Sequence, residues 1–156
     1  CHMQQDVYVN HKLIPEDMIG QEMQYHPAQS KQEAWQKAAE ALVLRELLLQ
    51  EAFKEHLTDV DNDEAEIIDA LLAKKIDIQE PSQEECLAFY QAQKHRLLDS
   101  AGQIIPYSQL ELLIKTELAA RTGRLAVKDY LQTLVEQSQI QGLVIGQTWL
   151  PVRMMN

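Results

Sequence analysis

The chain has 156 residues, 46% apolar and 24% charged, with 14 basic against 24 acidic side chains. A chain of this length buries roughly 68–70% of its unfolded surface, enough for a core without disulfides. The net charge of −10 argues against binding to a phosphate backbone or an anionic membrane, and five glycines with five prolines are too few for a turn-rich sandwich or barrel. Leucine, alanine, glutamine and glutamate dominate, so the fold is expected to be mainly α.

Cys1-His2-Met3 reads as a cloning remnant ahead of a native Met3. Residues 6–14 alternate and carry β-branched side chains, which predicts a short strand. Pro15-Glu16-Asp17 opens a helix, with proline at its first position and carboxylates at its positive end; it stops near Tyr25-His26-Pro27. Ser30-Lys31-Gln32-Glu33 is a capping box for the next helix. That helix runs from Trp35 to Leu57 and turns Trp35, Ala38, Ala39, Leu42, Val43, Leu47, Leu49, Ala52 and Phe53 inward. Leu44 and Leu48 widen its apolar face, so several neighbours must cover it.

A third helix spans Asp61 to Lys75, with Ile67, Ile68, Leu71 and Leu72 inward. Ile76-Asp77-Ile78 is an extended connector. Ser82-Gln83-Glu84-Glu85 is a second capping box, opening a helix with Cys86, Phe89, Tyr90 and Leu97 that Asp99-Ser100-Ala101-Gly102 breaks. Pro106 starts the last helical region. Its apolar stripe holds Leu110, Leu113, Ile114 and Leu118, then Leu125, Val127, Tyr130, Leu131, Leu134 and Val135 beyond Gly123, which kinks or splits it. Residues 140–145 form a closing strand, and 147–156 are a tail without pattern. An isolated strand leaves its backbone unpaired, so residues 7–13 are expected to pair with 140–145. The expected whole is a single domain over 4–146, in which 4–98 form the N-terminal part and 99–146 close the lobe. It has five to six helices and a small two-stranded sheet joining the chain ends.

Ten acids stand against Lys74 and Lys75 between residues 59 and 85, a local balance of −8. This is read first as a solvated face and second as a surface that selects basic clients. Asp59-Val60-Asp61-Asn62-Asp63 opens like a calcium loop, but Glu64 and Ala70 stand where glycine and the bidentate glutamate are required, so that reading fails. His11, His26, His56 and His95 have no metal-ligand spacing. Cys86 and His95 would point about half a turn apart on a helix, and no phosphate loop or nucleophile motif is present. No cofactor, no metal and no enzymatic activity are therefore expected. No apolar run approaches the ~18 residues of a membrane span. If residue 3 is the native start the protein is cytoplasmic; a removed signal peptide would place it in the periplasm.

Met18, Met23, Tyr25 and Trp35 crowd the junction of the first two helices. Adaptable methionine and aromatic side chains suit either a client-binding groove or an irregular core junction.

Val9-Asn10-His11-Lys12-Leu13-Ile14-Pro15 resembles the opening of bacterial parvulin-type prolyl isomerases of the SurA and PpiC kind. Glu33-Ala34-Trp35 and the run from Ala38 to Ala52 resemble their long chaperone-domain helix. Pro81 to Cys86 with Phe89-Tyr90 resembles the helix leading into the catalytic domain, and Tyr130 to Leu134 with Ile140-Gln141-Gly142 resembles the segments that follow it. In that family a parvulin domain of about ninety residues, an ordinary size for a small domain, separates the last two blocks. Here only about fifteen residues intervene, roughly Ala92 to Pro106. The resemblance thus implies a SurA-like chaperone lobe without its isomerase module, binding unfolded or maturing client proteins. The candidate client-contact residues are Met18, Met23, Tyr25 and Trp35 of that junction, with Phe89 and Tyr90, and the lobe could pair as a homodimer. Two alternatives stand: a maturation factor for a metalloenzyme subunit of the nitrogenase or nitrate-reductase type, and a parvulin isomerase from which the catalytic domain was removed.

Overall fold

A computed structural model describes residues 6–58 and 63–146. Asp59 and Asp61 of the acidic stretch, the presumed remnant at 1–3 and the tail at 147–156 lie outside the described residues. The chain divides into two compact units: one contains the chain up to Lys75 and again from Lys128, and the other spans Ile76–Val127.

The first unit opens with two short strands, β1 (Val7–Val9) and β2 (Lys12–Ile14), where one strand over 6–14 was expected. Asn10 and His11 both take left-handed angles, φ 51° and 73°. Two consecutive left-handed residues form the tight turn whose twist matches a hairpin, and asparagine tolerates that conformation well. β1 pairs with β2 on one side and with β3 (Ile140–Gln141) on the other, giving the order β2-β1-β3. The expected pairing of the chain ends is therefore present (Tyr8↔Gln141, Val9↔Ile140), but in a three-stranded sheet. Strand β3 is also shorter than 140–145, because Gly142 at φ 84° turns the chain away. Asn10 locks the junction: its N–H donates to the Gln139 carbonyl at 2.8 Å and its side-chain oxygen accepts the Gln139 N–H at 2.9 Å. Its amide also donates to Gln50 Oε1 at 2.8 Å.

Helix α1 (Glu16–Glu22) follows Pro15 and tightens into a single 3₁₀ turn at Met23–Tyr25 before Pro27. Helix α2 (Lys31–Lys54) packs against α1, β1 and α3 (Glu64–Lys75). Its buried Ala38, Ala39, Leu42, Val43, Leu44, Leu47, Leu48 and Ala52 lie on nearly every side, as the widened apolar face predicts. Full burial of leucines such as Leu44 and Leu48 is worth about 1.5–3 kcal/mol each. Phe53 departs from the expectation. It lies in the last helical turn and is 71% exposed.

The helix ends follow from their capping residues. Ser30 accepts the Glu33 N–H, but Glu33 returns its carboxylate to the Gln29 N–H rather than to Ser30, so the first box is only half closed. Asp63 and Glu66 form a reciprocal pair at the start of α3, and the expected first residue Asp61 lies outside the described residues. Ser82 and Glu85 close the predicted box of α4 (Gln83–Gln93). On α3, Ile67 and Leu71 are buried while Ile68 and Leu72 are half-buried.

In the second unit, α4 and the first part of α5 (Tyr107–Glu136) share a core of Cys86, Tyr90 and Ile114, with Phe89, Leu97, Tyr107, Leu110 and Leu118 packed around it. Leu113 and Leu125, expected on the inward stripe, are exposed. Gly123 does not divide α5. A side chain at that position would crowd Ile78, whose Cδ1 would lie 3.0 Å from an added Cβ, so the glycine serves a close approach. From Lys128 onward α5 belongs to the first unit, where Leu131 and Leu134 are buried.

Candidate functional site

One stripe of α2, formed by Leu42, Glu46, Leu49 and Phe53, runs beside β2 and is only partly covered. Two hollows lie along it within the first unit. The smaller, of about 250 Å³, is lined by Leu13, Ile14, Pro15, Met18, Leu42 and Leu49 among others. The larger, of about 550 Å³, continues past Leu49 to Phe53, Lys54 and Thr58. Lys12, Glu46, Leu49 and Glu64 border both. Leu13 and Met18 are each 45% exposed. Leu13 and Met18 border the smaller hollow and Phe53 the larger, and Leu49, which borders both, joins them into one apolar patch.

The charges along this patch pair with one another. Lys12 Nζ lies 3.3 Å from Glu46 and Lys54 Nζ 3.0 Å from Glu51. Beneath the α1–α2 junction the buried Glu22 carboxylate lies 2.8 Å from His26 Nε2 and 3.9 Å from Arg45. At the C-terminal end of α2, Lys74 and Lys75 both donate to Glu55, at 2.7 and 2.8 Å, and hold its carboxyl down at about 2. Burial, with Glu51 and Glu55 nearby, pushes the Tyr130 phenol up to about 12. On the opposite flank of α2 the buried Glu40 accepts the Gly146 N–H at 2.9 Å, and Gln36 donates to the Val144 carbonyl at 2.8 Å.

The six residues singled out in the sequence separate between the two units. Met18 lines the smaller hollow. Tyr25 is exposed, whereas Met23 and Trp35 are half-buried, and none of these three lines either hollow. Phe89 and Tyr90 belong to the second unit. Arg121 stacks over the Phe89 ring at 5.2 Å, and the buried Tyr90 donates its hydroxyl to the Ile105 carbonyl at 2.6 Å. Leu13 and the outward Phe53 belong to the patch and were not among the six. The spacing of Leu42, Glu46, Leu49 and Phe53 put them on one helix face, but periodicity alone does not say where the covering elements end.

Among the described residues, no group of three or more histidine, cysteine, aspartate or glutamate side chains is placed to hold a metal ion, and no helix is long and apolar enough to cross a membrane. Comparisons with family models, curated proteins and solved structures find no match.

Proposed function

We propose that this chain is a non-catalytic, chaperone-like module that binds partly unfolded client proteins transiently, as the resemblance to SurA-type lobes implies. The supporting observation is the pair of adjoining apolar hollows along α2, with Leu13, Met18 and Phe53 exposed at their rims. Such a surface offers an unfolded segment apolar contact without a deep, shape-specific pocket. The high net negative charge keeps copies of the chain apart while the patch stays open. Methionine in the smaller hollow lets the contact repack around different side chains.

The test is suppression of aggregation of a chemically unfolded model protein at near-stoichiometric ratios without nucleotide. Met18→Ser with Phe53→Ser removes apolar surface at exposed positions. The double variant should lose most of the protection while its melting transition stays nearly unchanged. A parent chain that protects no unfolded client refutes the proposal.

A further inference from the structure

The sheet stops one strand short of the surface that α2 offers it. Strand β2 is an edge, since the order is β2-β1-β3. The register is Val7↔Ile14, Tyr8↔Leu13 and Val9↔Lys12, closed by a two-residue turn. In an antiparallel hairpin of this kind the pair flanking the turn is hydrogen-bonded and the next pair is not. Lys12 and Ile14 therefore bond to β1, whereas the N–H and C=O of Leu13 point away from it. Neither group of Leu13 finds a hydrogen-bond partner among the described residues. Beyond this edge lie the two hollows, with Leu42 and Leu49 of α2 beneath them and Phe53 exposed at the rim of the larger. The next strand position, about 4.8 Å out from β2, thus has both a backbone donor and acceptor and an apolar floor.

Charge narrows the occupant. Three cations, Lys12, Arg45 and Lys54, and two carboxylates, Glu46 and Glu64, line the hollows of a chain whose net charge is −10. The Lys12 and Lys54 side chains, 65% and 67% exposed, reach past the carboxylates they pair with, Glu46 at 12% and Glu51 at 21%, while Glu64 is exposed beside them. An incoming segment beside Lys12 therefore meets the ammonium before the carboxylate paired with it.

Resting on the client-binding reading, we propose that the hollows receive an extended client segment as a fourth strand beside β2. The segment pairs its backbone with Leu13, sets alternate apolar side chains on Leu42, Leu49 and Phe53, and carries an acidic rather than a basic residue opposite Lys12. Strand addition of this kind draws affinity from main-chain bonds and selectivity from alternate side chains. With a single outward-facing residue on β2, the main-chain share is small and release is fast, as transient holding requires.

The experiment uses the full chain and a blocked nine-residue peptide of alternating valine and threonine with an aspartate at each end. Hydrogen exchange is followed by NMR at single amides. The Leu13 amide should exchange freely without peptide and slow at least tenfold at saturation, while the Lys12 and Ile14 amides, already bonded to β1, change little. Two further peptides carry N-methyl groups along one backbone edge or the other. One of them should bind at least tenfold more weakly than the parent peptide and the other should retain binding. Exchanging the aspartates for lysines should weaken binding severalfold. Equal binding of both methylated peptides, or a bound peptide that leaves Leu13 unprotected, overturns strand addition, and equal binding of the lysine peptide overturns the charge preference. If the valine-threonine peptide fails to bind while unfolded clients are still protected, strand addition falls and the client-binding proposal stands. If neither binds, both fall.

Discussion

Gly142→Ala tests whether the chain ends hold the first unit together. Gly142 sits at φ 84°, where any residue with a Cβ pays roughly 1–2 kcal/mol. Space is the second obstacle. A Cβ at this position would overlap the Asp6 carbonyl oxygen and come within 3.3 Å of Val7 Cα, both backbone atoms at the start of β1. Backbone cannot swing aside as a side-chain tip can, so β3 must move off β1 and weaken the Tyr8↔Gln141 and Val9↔Ile140 pairs. At about 1 kcal/mol for each hydrogen bond lost, the total reaches roughly 2–4 kcal/mol. For a chain of this size that lowers the melting temperature by roughly 5–15 °C. Gly20→Ala is the matched control: Gly20 lies inside α1 with open space around it, and alanine there should stabilise by about 0.5–1 kcal/mol. Thermal melts of the parent and both variants, followed by far-ultraviolet circular dichroism, make the comparison. A Gly142→Ala chain that melts with the parent would show that β3 contributes little and refute the reasoning.

Two further outcomes are expected. Glu55 has its pKa lowered to about 2 from an ordinary 4.5 by Lys74 and Lys75, so it contributes stability that is fully present above about pH 4.5 and is lost as pH falls toward 2; the gap in urea midpoint between the parent and Glu55→Gln should be constant near neutrality and close across that window, and a gap independent of pH would refute the assignment. Tyr90→Phe removes the hydroxyl bonded to Ile105 at a cost of about 0.5–1.5 kcal/mol, seen as faster amide exchange confined to the second unit; unchanged exchange there would mean that the bond carries no stability.

The capping residues were the most legible part of the sequence, because their signal is local. Ser82 and Glu85 meet as their spacing requires, and the proline boundaries at Pro15 and Pro27 bracket α1 and its terminal turn. The hairpin was hidden because Asn10-His11 lacks the glycine that usually marks such a turn, so an alternating run read as one strand. Phe53 fits the apolar periodicity of α2, yet faces outward. The periodicity records which residues share a face, not how far along the helix that face stays covered. Tyr90 fails as a surface residue for the complementary reason: its aromatic body fills the core with Cys86 and Ile114 while its hydroxyl finds a carbonyl fifteen positions along the chain.

The division of α5 between the two units has a consequence for biosynthesis. The second unit is one continuous stretch, Ile76–Val127, and its contacts can form as soon as that stretch leaves the ribosome. The first unit must wait. Its hairpin turn at Asn10 meets Gln139 only after 129 further positions have been made, and β1 lacks one of its two neighbours until then. Closing so long a loop is entropically slow compared with local helix pairing. During synthesis the nascent chain therefore carries a strand with an open edge and a first unit that still lacks its buried Leu131 and Leu134, and it passes through the same kind of exposed, incomplete state in which its proposed clients would be held.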